Sequence, residues 1–134
     1  IQDSPYAPTQ CPDLILSEHS TWKRIYLHRM KHSEICIAST GLHQSSGWKI
    51  AEYLAAGRAI VSEPLCYEVP GPFQAGENYL TYTSADGCIE QIRTLLAHPG
   101  QILQMGQRNR AYYDTWLRPD QIVTKALEQA KILL

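Results

Sequence analysis

The strongest constraint on this chain is an alternation. Short apolar runs rich in β-formers are separated by stretches whose apolar residues recur at helical spacing. Glu34 to Ala38 (EICIA) is such a run, bounded by polar residues, and predicts a buried strand. From Gly47 to Ala56 the spacing of Ile50, Tyr53 and Leu54 predicts a helix, closed by Gly57. Ala59 to Ser62 and Tyr79 to Tyr82 predict two further strands, joined by a long loop rich in proline and glycine. Ser84 to Leu96 predicts a helix with Ile89, Ile92, Leu95 and Leu96 facing inward; Ile102 to Trp116 and Ile122 to Leu133 predict two more. Upstream, Trp22, Ile25, Tyr26 and Met30 fall on one helical face with Ser20 as N-cap, and Asp13 to Ser17 (DLILS) reads as a short strand.

Helices lying between strands imply a parallel sheet covered by helices. The expected fold is therefore α/β: a Rossmann-like three-layer domain with a short parallel sheet flanked by helices. Residues 1–12, with Pro5, Pro8 and Pro12, read as an irregular lead-in or linker, and 13–134 as the domain. The length of 134 residues suits one such domain. Twelve Lys plus Arg against 13 Asp plus Glu give a net charge of −1, so no broad basic footprint for nucleic acid or anionic lipid is present. No apolar run approaches the ~18 residues of a membrane span. Cys11, Cys36, Cys66 and Cys88 are far apart, which fits neither a zinc ribbon nor a disulfide scaffold, and a reduced, cytoplasmic setting is expected.

In open parallel sheets ligands bind beyond the carboxyl ends of the strands. The richest loop of that kind runs from Ser39 to Gly47 and carries Gly41, His43, Gln44, Ser45, Ser46 and Gly47, with Lys49 just inside the next helix. A helix start offers unpaired N–H groups and partial positive charge, which suit a phosphate. Lys49 there is unfavourable for the helix dipole alone, so it is either a solvated side chain or a partner for a bound anion. Gly41, Gly47 and Lys49 do not have P-loop spacing, and no G-x-G-x-x-G is present. Glu52 lies off the packing stripe of its helix. It is either a surface glutamate or a carboxylate that accepts hydrogen bonds from vicinal ribose hydroxyls.

The remaining candidates have simpler structural readings. His28 and His32 have a metal-compatible i, i+4 spacing but no third ligand in view. Arg58 complements a helix end. Glu63 and Pro64 end a strand and border any nucleotide held there. Tyr112, Tyr113 and Trp116 have the spacing of core residues.

The segment from Ser45 to Pro64, SSGWKIAEYLAAGRAIVSEP, resembles the donor-binding motif of GT-B-fold glycosyltransferases: a loop, a helix carrying Lys and Glu, an Ala-Ala-Gly end and a buried strand. GENYLTYTS at 76–84 and MGQRNRAYYDTWL at 105–117 fit as well, and the flavour is similar to the spore-maturation-type, glycosyltransferase-like branch. The resemblance covers about residues 20–130. It implies the C-terminal half of a two-domain protein whose first residue here, Ile1, follows an N-terminal partner domain. It implies that Glu52 binds the ribose of a nucleoside-diphosphate sugar and that the loop from Gly41 to Gly47 holds the diphosphate. Neither a metal nor a further cofactor is implied, and the acceptor is left open. Many relatives carry a second glutamate eight positions before the first; here that position is Gln44, which can hydrogen-bond a hydroxyl but cannot act as a base. Alone, such a domain is expected to bind nucleotide and turn over little. The alternative is a degenerate module that senses nucleotide or binds protein without catalysis.

Overall fold

The computed structural model describes residues 6–10, 12–15 and 17–132. They fall into two compact units, one ending at His32 and one beginning at Ser33.

The first unit contains helices α1 (Tyr6–Gln10) and α2 (Lys23–His32), with single 3₁₀ turns at Pro12–Leu14 and Glu18–Thr21. Three expectations are corrected here. Asp13 and Leu14 lie in a 3₁₀ turn and not in a strand, and Tyr6–Gln10 makes one helical turn within the stretch expected to be irregular; Pro5, Cys11 and Leu16 lie outside the described residues. Ser20 does not cap α2. It sits inside the 3₁₀ turn, its hydroxyl 3.0 Å from that of Ser17, and the extended Trp22 (φ −60°, ψ 133°) separates that turn from the helix.

The second unit is built on three parallel strands in the order β1 (Ile35–Ala38), β2 (Ala59–Ser62) and β3 (Leu80–Thr81). Register pairs Ile37 with Val61 and Val61 with Leu80. The α/β, Rossmann-like expectation is met. Helices α3 (Trp48–Ala55), α4 (Ala85–Ala97), α5 (Pro99–Tyr112) and α6 (Pro119–Ile132) follow the strands, with a π-helical turn at Tyr113–Leu117 between the last two. Every residue of the central strand β2 is buried, the apolar Ala59, Ile60 and Val61 and the polar Ser62 alike. One face packs Ala59 and Val61 against Leu95 of α4 and Met105 of α5, with Ile35, Leu80, Cys88 and Ile92 around them. The alternate residues Cys36, Ala38, Ile60 and Ser62 are buried too, and α3, in contact with β1 and β2, buries Ile50, Tyr53 and Leu54. Edge strand β1 is less enclosed than expected, and Ile37 stays 49% exposed.

On α4 the inward face is narrower than expected. Cys88, Ile92 and Leu95 reach the core, whereas Ile89 and Leu96, each one position further round the helix, are 46% and 57% exposed. Ser84 caps this helix, its Oγ accepting from the Gly87 N–H at 3.1 Å. Among the described residues no helix is long and apolar enough to cross a membrane.

Helix α3 ends in a Schellman turn. Gly57 N–H donates to Leu54 O and Arg58 N–H to Tyr53 O, both at 3.0 Å, with Gly57 at φ +62°. Helix α5 then meets that turn backbone to backbone. A β-carbon on Gly106 would lie 2.5 Å from the Gly57 carbonyl oxygen, and neither group is a side chain that can turn away. Gly106→Ala is expected to lower stability by about 2–3 kcal/mol, as overpacking of a rigid contact does. Gly100→Ala, at a site with nothing within 4 Å, should change stability by less than about 0.5 kcal/mol. Urea midpoints of the two variants check both.

Candidate functional site at the strand ends

The carboxyl ends of the three strands converge on one cavity of about 300 Å³. Thr40 comes from the segment after β1, Glu63 and Cys66 from that after β2, Tyr82 and Thr83 from that after β3, and Gln44 from the β1–α3 loop.

A clasp holds this rim together. Glu63 Oε2 accepts from both the backbone N–H of Thr40 (2.7 Å) and its hydroxyl (2.6 Å). These two bonds hold the Glu63 carboxyl below its ordinary range, so it is ionised at neutral pH. Tyr82 reaches across from β3, its hydroxyl donating to Ala38 O at 3.0 Å. Burial, and secondly the Glu63 charge, push the Tyr82 phenol up, so it remains a protonated donor. Tyr53 of α3 donates to Ile37 O at 3.2 Å. The end of β1 is thereby tied to α3 and β3 as well as to the segment after β2.

The loop leaving β1 closes on itself. Gly41 N–H donates to Ser45 O at 2.8 Å and Gln44 N–H to Gly41 O at 3.0 Å, around a 3₁₀ turn at Leu42–Gln44. His43 (φ +56°) and Gln44 (φ +59°) are both left-handed, an arrangement that two non-glycine residues adopt only when the surroundings hold it. Tyr67 supplies part of that hold, its hydroxyl donating to His43 O at 3.1 Å. Helix α3 then starts at Trp48 behind Gly47 with no side-chain cap; Ile50 N–H donates to Gly47 O at 3.2 Å, and the N–H groups of Trp48 and Lys49 face solvent or a ligand. Lys49 is exposed in that first turn, and Glu52 is half-buried one turn on, off the buried Ile50–Tyr53–Leu54 stripe.

The loop between β2 and β3 is packed, not loose. Phe73 stacks on Tyr79 (5.3 Å) and meets Tyr112 (4.9 Å), whose hydroxyl donates to Pro70 O. Burial pushes the Tyr112 phenol up to about 12. Tyr112 is thus core, as its spacing predicts, while Trp116 is half-buried under the Lys125 ammonium at 4.3 Å. This loop and α3 enclose a second, apolar cavity of about 170 Å³, lined by Trp48, Ile50, Leu54, Val69 and Phe73.

A family model described as glycosyl transferase-like matches residues 13–128, most of the chain. The chain belongs to that glycosyl transferase-like family. No curated protein and no solved structure matches it.

Within this glycosyl transferase-like domain the expected site residues are distributed unevenly. Gln44 lines the strand-end cavity, and Ser46 and Gly47 line the apolar one. Gly41, His43, Ser45, Lys49 and Glu52 line neither; they form the loop and the helix start beside them. Glu63 and Pro64 border the strand-end cavity, as expected from their place at the end of a strand. Thr40, Cys66, Tyr82 and Thr83 were not singled out by sequence, although three of them stand one or two residues beyond a strand's last residue, where the strand-end rule directs attention. Arg58 follows the α3 turn and is structural, its Nε donating to Ala56 O at 2.8 Å. In the first unit His28 and His32 lean on each other, with ring centroids 4.1 Å apart and His32 Nδ1 donating to His28 O at 2.7 Å. Among the described residues no group of three or more His, Cys, Asp or Glu is placed to hold a metal.

Proposed function

We propose that this chain is the donor-binding half of a GT-B-type glycosyltransferase of the spore-maturation-like branch, acting in the cytoplasm with an N-terminal partner domain. Its ligand on this reading is a nucleoside-diphosphate sugar. Family membership supports glycosyl transfer as the general chemistry. The observation that carries the finer reading is a cavity opening where three parallel strands end, beside an uncapped helix start with a lysine in its first turn.

In this reading the β1–α3 loop, from Gly41 through His43, Gln44, Ser45 and Ser46 to Gly47, and Lys49 hold the diphosphate. The N-terminal N–H groups of α3 face the phosphate oxygens, and the helix dipole stabilises the departing nucleoside diphosphate. Glu52 accepts hydrogen bonds from the ribose hydroxyls. The acceptor sugar or other nucleophile comes from the partner domain's side.

Cys66 gives a direct test, because it is exposed and lines the cavity. Cys36 is buried, and desolvation pushes its thiol up to about 11 despite Arg58, so it stays unreactive. Saturating UDP, GDP or ADP is expected to slow alkylation of Cys66 several-fold and to leave Cys88 unchanged, as followed by mass spectrometry. Equal Cys66 rates with and without all three would overturn the reading. That outcome would favour the protein-binding form of the non-catalytic alternative, for which the neutral amide of Gln44 on the cavity wall is the motivating observation.

A further inference from the structure

On the proposed reading the β1–α3 loop and helix start take the diphosphate, yet the cavity beside them carries the opposite bias. Among the described residues that line it, Glu63 is the single charged side chain, accompanied by the neutral Thr40, Gln44, Cys66, Tyr82 and Thr83. The Thr40 clasp occupies Oε2 with two hydrogen bonds, and no hydrogen bond to Oε1 occurs among the described residues. A carboxylate fixed in this way presents a negative charge and an open acceptor at the cavity wall. Like charge set beside it is strongly disfavoured, whereas an O–H or N–H donor gains a charge-assisted bond.

We propose that Glu63 is a specificity-determining residue, a charge filter that turns phosphate away from the strand-end cavity and admits a neutral hydrogen-bond donor. This rests on the nucleotide-sugar reading for the identity of the ligand, but not for the filter itself. The filter divides the ligand in space. The hydroxyl- or amine-bearing part enters between Glu63 and Tyr82, and the diphosphate is left to the β1–α3 loop and Lys49. The clasp also makes Thr40 a positioning residue, since the filter's direction depends on which carboxylate oxygen it occupies.

The test compares inorganic pyrophosphate with the neutral nucleosides uridine, guanosine and adenosine, using protection of Cys66 from alkylation in the wild-type chain and in Glu63→Gln, Glu63→Ser and Glu63→Asp. In wild type, at least one nucleoside is expected to protect Cys66 and pyrophosphate is not. Removing the charge in either neutral variant should let pyrophosphate protect, with at least about a tenfold gain in apparent affinity, and should weaken the nucleoside about tenfold. Glu63→Asp keeps the charge and should exclude pyrophosphate as wild type does. Two neutral variants guard against one that misfolds, and circular dichroism identifies such a case. Protection of wild-type Cys66 by pyrophosphate, or an unchanged response in a folded neutral variant, overturns the filter. If the neutral variants gain pyrophosphate protection while no nucleoside or nucleotide ever protects, the exclusion of phosphate stands, whereas the admission of a neutral donor and the nucleotide-sugar reading both fall.

Discussion

Asn109→Leu is expected to destabilise the domain by about 3–5 kcal/mol. Asn109 has no exposed surface. Its amide donates to Arg58 O (2.8 Å) and to Asn78 O (2.9 Å) and accepts from the Asn78 amide (3.1 Å). Asn78, almost as deeply buried, in turn accepts from the Gln74 N–H at 3.1 Å. The pair therefore stitches three pieces of chain together: the turn after α3, the end of the β2–β3 loop, and α5. Leucine is similar in volume but leaves two carbonyls and one amide buried without partners, each costing about 1–3 kcal/mol. For a domain of this size the thermal midpoint should fall by on the order of 10–20 °C. Asn109→Asp should be no better, because it loses both donors and buries a charge. A drop below about 1 kcal/mol in urea unfolding would mean that water or a shifted backbone replaces these bonds.

Much of the domain was legible from local pattern. The Ala59–Ser62 strand was read with its observed ends, and the first and third strands to within one residue at each end, because runs of β-formers bounded by turn residues have few other uses. The helix over Trp48–Ala55 followed from three apolar residues on one stripe and a glycine able to take positive φ. Where local pattern was weak, the reading failed. Asp13–Ser17 is too short for period 2 and period 3.6 to differ, and Asp13 and Leu14 took a 3₁₀ turn after Pro12. On α4 the buried stripe is narrower than the apolar pattern, because Ile89 and Leu96 lie beyond the width of helix face that the three-stranded sheet covers.

The site was legible only in part for a different reason. The loop Ser39–Gly47 and the helix start are contiguous in sequence, so their chemistry could be read directly. The Thr40–Glu63 clasp joins residues 23 apart, and the Asn78–Asn109 pair joins residues 31 apart. No periodicity announces either. They exist because parallel strands bring successive loops to one edge, a consequence of topology and not of any motif. Glu63 could be placed at a strand end from sequence; that Thr40 would orient its carboxylate could not.

The central claim is that the β1–α3 loop and α3 bind a nucleoside diphosphate through Glu52, and calorimetric titration of UDP, GDP and ADP into the wild-type chain and Glu52→Ala tests it most directly. Two charge-assisted bonds from ribose hydroxyls are worth about 1.5–3 kcal/mol each. Losing both should weaken binding by about a hundredfold or more. The account predicts that at least one of the three nucleotides binds the wild type and that this binding falls by that factor in a variant whose circular dichroism is unchanged. Binding of none of them, or an affinity that Glu52→Ala leaves intact, would contradict it.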